Sequence, residues 1–171
     1  MRSDSTTTDA SPPRTSYAVL DLDGVVADVR HRLHHLEKKP KDWNRFFAAA
    51  SEDPPLAQGV ELAQLLAAEH ELVYLTGRPS KLRRVTEAWL KRHDLPLGRL
   101  IMRSSGDYRP ARLAKVELLR QLEEQRPVHI VVDDDAAVVA AVQQAGFAVL
   151  HATWAEPTTT LHQAQVGDGR T

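Results

Sequence analysis

The chain contains no cysteine, which excludes disulfides, thiolate zinc sites and a cysteine nucleophile. It also lacks any apolar run near the roughly 18–20 residues that a membrane-spanning helix needs. The first sixteen residues are polar and rich in serine, threonine and proline, without the apolar core of a signal peptide. We therefore expect a cytoplasmic protein that has no membrane partner.

Neither sign of charge dominates, because the formal net charge is −1 at pH 7. Overall charge therefore gives no argument for nucleic-acid binding, although a local basic rim stays possible. The 171 residues, 42% of them hydrophobic, suffice for one packed core. We predict a single domain over residues 16–154, with a disordered tail at 1–15 and a flexible tail at 155–171. The sequence does not indicate the oligomeric state.

Between the two tails, short apolar runs alternate with segments of helical periodicity. The clearest strand follows Pro127 and ends in acidic residues, and residues 29–55 form a small helical insertion after the first strand. Strands separated by helices favour an α/β fold with a doubly wound parallel sheet. Strands are predicted at 17–22, 71–76, 99–103, 128–133 and 147–151, and helices at 29–37, 42–51, 57–69, 80–93, 110–125 and 135–145.

Three of the predicted strands are followed by polar clusters. The first leads into Asp21-Leu22-Asp23-Gly24, the second into Thr76-Gly77-Arg78 and the fourth into Asp133-Asp134-Asp135. In doubly wound sheets the active crevice lies beyond the carboxyl ends of the strands. This distribution is therefore typical of a functional site rather than of unrelated loops.

Asp21 and Asp23 are separated by one residue, so a regular strand would point both carboxylates to the same side. Two like charges so close repel each other unless a cation lies between them or one stays protonated. Such a pair suits an aspartate nucleophile, a proton donor and acceptor, and a hard cation such as Mg²⁺. The alternative is a loop in which both carboxylates are solvated.

The other two clusters permit both a chemical and a structural interpretation. The hydroxyl and backbone N–H groups of Thr76 and Gly77 can hold a phosphate, and Arg78 can add a bidentate contact, although a plain turn is the alternative. In the third cluster we expect Asp135 to cap a helix while Asp133 or Asp134 faces a cation.

Single basic residues outside the clusters carry weaker signals. Lys115 lies near the start of the helix after the third strand, where it could reach Asp21 and offset its charge. Arg32 follows the aspartate pair closely. His31 and His35 have i, i+4 spacing, but we favour a polar helix face over a metal site there.

Asp21-Leu22-Asp23-Gly24, Thr76, Lys115 and Asp133-Asp134, in this order, resemble the four motifs of the haloacid dehalogenase-like (HAD) superfamily of phosphotransferases. The resemblance implies a three-layered Rossmann-like fold with strand order 5-4-1-2-3 and Mg²⁺-dependent transfer through an aspartyl-phosphate. It implies that Asp21 is the nucleophile and a metal ligand. It further implies the following roles: Asp23 as general acid/base and, through its carbonyl, metal ligand; Thr76 and Lys115 as phosphoryl contacts; Asp133 and Asp134 as the rest of the metal site.

Within that superfamily the chain is most similar to the 3′-phosphatase domain of bacteriophage polynucleotide kinase. The likeness rests on Thr76-Gly77-Arg78, on Arg32, and on Gly106-Asp107-x-Arg109 before Lys115, and it implies that Gly77, Arg78 and Arg32 bind substrate. The sequence departs from that domain at Ala111, where an acidic residue is expected, and it contains no kinase P-loop.

The resemblance therefore leads to a phosphomonoesterase acting on a nucleotide or polynucleotide 3′-phosphate. A minimal helical insertion instead of a full cap is typical of superfamily members with bulky substrates. Two alternatives stay open: a phosphatase of small metabolites such as sugar phosphates or mononucleotides, and a non-catalytic phosphate-binding module. The partner in each case is a phosphorylated compound.

Overall fold

The structure is a computed structural model that describes residues 14–104, 106–155 and 159–168. The strands are β1 (Tyr17–Leu20), β2 (Glu71–Pro79), β3 (Gly98–Arg103), β4 (Val128–Asp133) and β5 (Val149–His151). They form one parallel sheet in the order β3-β2-β1-β4-β5. This is the predicted order 5-4-1-2-3 from the opposite edge, so the predicted HAD-like α/β fold is confirmed.

Helices cover both faces of the sheet and complete a three-layered architecture. They are α1 (His34–Glu37), α2 (Trp43–Ala48), α3 (Ala57–Glu69), α4 (Arg83–Arg92), α5 (Ala111–Gln125), α6 (Ala136–Gln144) and α7 (Thr159–Asp168). Helices α3 and α4 pack on one face, and α5 and α6 pack on the other. Among the described residues, no helix has the length and apolar character that crossing a membrane requires.

Strand β1 is the centre of the core. Its four side chains are all buried, because β2 and β4 pair with its two edges and helices cover both faces. Ala18 and Leu20 pack on the side of α3 and α4, while Tyr17 and Val19 pack on the side of α5 and α6. A strand buried on both faces is continuously apolar, which explains the uninterrupted run before Asp21.

The predicted insertion at 29–55 contains α1, α2 and two short 3₁₀ turns, Arg30–Arg32 and Ala49–Glu52. Its helices are shorter than the predicted 29–37 and 42–51 because the 3₁₀ turns replace their ends. The aromatic rings of Trp43, Phe46 and Phe47 pack together in a separate apolar cluster. The insertion therefore has its own small core above the sheet edge.

Two further differences from the prediction bear on the site. Strand β2 runs to Pro79 instead of ending at residue 76, and its register with β3 shifts between Thr76 and Pro79. Helix α7 lies within the segment 155–171 that we expected to be a flexible tail. It folds there because Leu161 and Ala164 bury themselves in the apolar cluster of the insertion. The predicted tail at 1–15 falls almost wholly outside the described residues.

Candidate active site

The predicted polar residues meet at the carboxyl edge of the sheet. Asp21 follows β1, Thr76 lies in the last part of β2, and Asp133 ends β4. Lys115 projects to the same edge from the second turn of α5. These residues converge because the carboxyl ends of parallel strands lie at one edge. Six predicted residues line one cavity there: Asp21, Asp23, Thr76, Gly77, Lys115 and Asp134.

Three carboxylates form an acidic triad in this cavity. Asp21, Asp133 and Asp134 each offer an oxygen atom, and these atoms all lie within 4.8 Å of one another. Burial raises the pKa of Asp134, and the charge of Asp21 raises it further. Burial likewise raises the pKa of Asp133. The triad therefore has the unfavourable charge concentration that a bound cation would relieve.

Lys115 bridges two members of the acidic triad. Its Nζ donates to Asp21 Oδ2 over 2.7 Å and to Asp133 Oδ2 over 2.5 Å. Burial opposes the charge of this ammonium, but the two carboxylates outweigh burial and raise the Lys115 pKa. Burial raises the pKa of Asp21 to about 7, with Lys115 opposing that shift and Asp133 adding to it. Lys115 thus keeps Asp21 closer to its ionised form.

The carboxylate of Asp23 points away from the acidic triad and towards two buried arginines. Arg78 Nε and Nη2 donate to Asp23 Oδ1 over 2.9 and 2.5 Å, and Arg32 Nη2 donates to the same oxygen over 3.0 Å. The chain leaves the strand after Leu20, so the two aspartates do not follow the alternation expected of a regular strand. Burial would raise the pKa of Asp23, but Arg78 and Arg32 outweigh it and lower the pKa to about 2.

The turn after Thr76 holds the second predicted cluster. Arg78 N donates to Thr76 Oγ1 over 3.2 Å, which closes the turn around Gly77. The guanidinium of Arg78 is buried, and its Nη1 has no hydrogen-bond partner among the described residues. A buried, unpaired N–H group is costly. Neither Arg78 nor the equally buried Arg32, both predicted to bind substrate, lines the active-site cavity.

A sequence profile of the family described as the polynucleotide kinase PNKP phosphatase domain matches residues 15–155. The chain belongs to this family. Its match covers the sheet, the insertion and every residue of the cavity except those that α7 contributes. The chain is therefore a phosphatase domain of the HAD type.

Solved structures support the same fold. The chain is 21% identical, with a TM-score of 0.67, to a chain in the structure of a Pnkp1/Rnl/Hen1 complex, covering 87% of this chain and 50% of that one. A second such structure, of the Pnkp1/Rnl/Hen1 RNA repair complex, matches at 19% identity and a TM-score of 0.68, covering 91% and 48%. The phosphatase domain thus spans about half the length of those chains.

Stand-alone HAD enzymes also match. A haloacid dehalogenase-like hydrolase from Streptococcus pneumoniae is 15% identical, with a TM-score of 0.54 and coverage of 89% of this chain and 91% of that one. A HAD family enzyme from Bacteroides thetaiotaomicron, in complex with magnesium and inorganic phosphate, is 11% identical, with a TM-score of 0.52 and coverage of 85% and 98%. No curated protein sequence matches the chain significantly.

The residues of this phosphatase domain fit a hard divalent cation. The acidic triad supplies three carboxylate oxygens, which are the ligands that Mg²⁺ prefers in proteins. Gly24 makes room for one of them, because a side chain there would place its Cβ 2.0 Å from Asp134 Oδ2. Its φ of 78° also favours glycine. Asp135, in the third polar cluster, caps α6 as predicted by accepting from Ala137 N over 2.8 Å.

Asp53, in the insertion, is a site residue that the sequence analysis missed. Its buried carboxylate accepts from Arg32 Nε over 2.8 Å and from Arg78 Nη2 over 2.7 Å, while His31 Nε2 lies 2.7 Å from its Oδ1. Its carbonyl also accepts from Trp89 Nε1 over 2.8 Å. Asp53 belongs to no recognised motif, because it follows Glu52 in a short segment that ends in two prolines. Only the burial of Arg32 and Arg78 in the structure points to Asp53, because these two arginines need more carboxylate oxygens as hydrogen-bond acceptors than Asp23 can supply.

Proposed function

We propose that this domain is a Mg²⁺-dependent phosphomonoesterase that works through an aspartyl-phosphate on Asp21 and acts on the 3′-phosphate of a nucleotide or polynucleotide. The observation that carries the chemistry is the contact of Lys115 with both Asp21 and Asp133 inside the acidic triad. It places a candidate nucleophile, a cation-binding set and a phosphate contact within a few ångströms. The family match supports the same class of reaction.

Asp21 is the nucleophile in this proposal. One of its carboxylate oxygens attacks phosphorus, a new O–P bond forms, and the ester bond to the leaving oxygen breaks. Lys115 and Thr76 hold the phosphoryl oxygens, and Gly77 allows the backbone to approach them closely. Mg²⁺, held by Asp21, Asp133 and Asp134 and by the Asp23 carbonyl, would supply positive charge that stabilises the transition state.

Asp23 moves the protons. It protonates the leaving oxygen in the first half of the reaction, and in the second it accepts a proton from the water that cleaves the acyl-phosphate. Its lowered pKa means that its resting state is ionised, so it must first lose part of its arginine contacts. A shift of Arg32 and Arg78 away from Asp23 when substrate binds would raise its pKa and let Asp23 carry a proton.

A second cavity beside the site supports a nucleotide as the substrate. It measures about 210 Å³ and shares Thr76, Gly77 and Lys115 with the active-site cavity. Apolar side chains such as Met102 form one part of its wall, and Arg103 and Arg109, with the acidic Asp107 and Glu117 that pair with them, form another. A base could occupy the apolar part while a neighbouring phosphate meets the arginines. The fold-level likeness to chains of an RNA repair complex points in the same direction.

The test is phosphate release with Mg²⁺ from matched substrates. These are 3′-phosphorylated and 5′-phosphorylated oligonucleotides, nucleoside monophosphates and an aryl phosphate. We expect the highest kcat/KM on the 3′-phosphorylated oligonucleotide and no turnover on any substrate by Asp21→Asn. Asp94→Asn is the matched control, because Asp94 is exposed, lies away from the site and has a φ of 54° that asparagine tolerates.

The two parts of the proposal fail separately. Turnover by Asp21→Asn equal to that of the wild type would refute the aspartyl-phosphate mechanism. Suppose instead that Asp21→Asn loses turnover and that the wild type is as active on mononucleotides as on the 3′-phosphorylated oligonucleotide, or more active. This result would be consistent with the mechanism and would refute the polynucleotide substrate.

One observation favours the second candidate function, a phosphatase of small metabolites. Leu161 and His162 of α7 line the active-site cavity, so the site is more enclosed than its short insertion suggests. Ala111, which also lines it, stands where the bacteriophage domain has an acidic residue. The same substrate panel decides, since a sugar phosphate or mononucleotide preferred at least tenfold over the oligonucleotide would favour this candidate.

A further inference from the structure

Helix α7 joins the active site from outside the region that the family shares. It spans Thr159–Asp168, whereas the family match ends at residue 155. Leu161 and Ala164 are each only 2% exposed, because they pack into the apolar cluster of the insertion beside Phe46. The helix is therefore docked by its own buried face, and this docking fixes the positions of the neighbouring residues on it.

The docking of α7 brings His162 to the acidic triad. Its Nε2 lies 3.4 Å from Asp134 Oδ2, and both side chains line the active-site cavity. The Asp134 carboxylate also lies against the backbone of Gly24. His162 and Gly24 thus limit the rotation of the Asp134 carboxylate, because the imidazole contacts its Oδ2 and the Gly24 backbone packs against it.

We propose that His162 is a positioning residue that holds the Asp134 carboxylate in the orientation needed to bind Mg²⁺. The inference rests on the proposed function, because it assigns Asp134 to the metal site. Residues that orient a ligand are worth about 10–100-fold in metal affinity or activity when they are removed. Imidazole itself is a poor ligand for Mg²⁺, which takes oxygen atoms, so His162 acts through Asp134 rather than on the ion.

Calorimetric titration of the full chain with Mg²⁺ tests this role without turnover. We expect His162→Leu to weaken Mg²⁺ binding about tenfold. His162→Gln should bind Mg²⁺ within about threefold of wild type, because its amide nitrogen can replace Nε2 as a donor to Asp134. Gln163→Leu is the matched control, since Gln163 is exposed on the same helix and should leave binding unchanged.

A further variant separates loss of orientation from loss of folding. His162→Asn has an amide too short to reach Asp134, and it should weaken Mg²⁺ binding as His162→Leu does while keeping the helix polar. Thermal unfolding of each variant is measured before titration. Equal or tighter Mg²⁺ binding by both His162→Leu and His162→Asn would overturn the inference, and so would the absence of Mg²⁺ binding by wild type.

The same protein preparations keep this inference distinct from the proposed function. Mg²⁺ binding that depends on His162, without phosphate release from any 3′-phosphate, would refute the proposed substrate and leave the positioning role intact. If Asp21→Asn abolishes phosphate release and substitutions at residue 162 leave the Mg²⁺ affinity unchanged, the positioning role is refuted and the proposed mechanism is kept.

Discussion

Arg78 Nη2 donates to Asp53 Oδ2 over 2.7 Å, and this contact joins the end of strand β2 to the insertion. Both side chains are buried, so the charge of each depends on the other. Because Arg78 also contacts Asp23, and Arg32 of the insertion contacts Asp23 directly, the insertion influences the charge of this candidate proton-transfer group. The insertion thus helps to set the charges of the buried groups at the site.

Removing Asp53 should therefore destabilise the fold. Asp53→Ala leaves Arg32 and Arg78 buried with Asp23 as their remaining carboxylate, and we expect a loss of about 3 kcal/mol in the free energy of unfolding. Urea denaturation measures this loss. Glu52→Ala, at the exposed neighbouring position, should change stability by less than about 0.5 kcal/mol. Similar values for the two variants would contradict the role of Asp53.

Lys115→Met should abolish most of the activity while keeping the length of the side chain. Without the ammonium, Asp21 loses the group that opposes the effect of burial on its pKa, so less of the nucleophile is ionised. The phosphoryl contact is lost as well, and we expect kcat to fall about 100–1,000-fold. Single-turnover phosphate release measures this. Lys91→Met, at an exposed position, is the control; a loss under tenfold in Lys115→Met would speak against the assignment.

Gly24→Ala should displace Asp134. Two penalties apply: the strain of an alanine at φ 78°, of about 1–2 kcal/mol, and the collision of its Cβ with Asp134 Oδ2. Gly146→Ala carries the first penalty alone, because Gly146 has φ 92° and its added Cβ would meet nothing within 4 Å. We expect a larger loss of stability in Gly24→Ala than in Gly146→Ala, and weaker Mg²⁺ binding only in Gly24→Ala. Calorimetric titration compares the two, and equal Mg²⁺ affinities would refute the prediction.

His70 should make stability depend on pH between about 5 and 7. Its ring stacks on His129 with centroids 4.1 Å apart, and burial followed by the charge of His129 lowers its pKa. The unfolded chain, with a His pKa of about 6.5, therefore binds this proton more readily than the folded one. The stability is present above that pKa and is lost as the pH falls.

His129→Phe tests the origin of this dependence, because it keeps the stacked ring and removes the charge. We expect the free energy of unfolding to fall less between pH 7 and pH 5 in this variant than in wild type. At pH 8 the two proteins should differ little in stability. An unchanged pH profile would show that His129 does not contribute to the His70 shift.

Much of the fold and of the site could be predicted because the signals were local. The run Tyr17–Leu20 is apolar because it is covered on both faces, and the polar residues follow where the strand emerges at the sheet edge. Parallel strands bring their carboxyl ends together, so Asp21, Thr76 and Asp133 lie at one edge of the sheet. Asp135 as a helix cap was equally local.

The structure added the relationships that no short pattern contains. Asp53 follows another acid, Glu52, just before two prolines, and His162 is a single histidine in a mostly polar segment. Neither carries a motif, because each owes its place to packing elsewhere: Asp53 to the buried arginines, His162 to the apolar contacts of Leu161 and Ala164. Periodicity and spacing report what neighbouring residues do together, whereas long-range pairing depends on how separate elements bury their surfaces and charges.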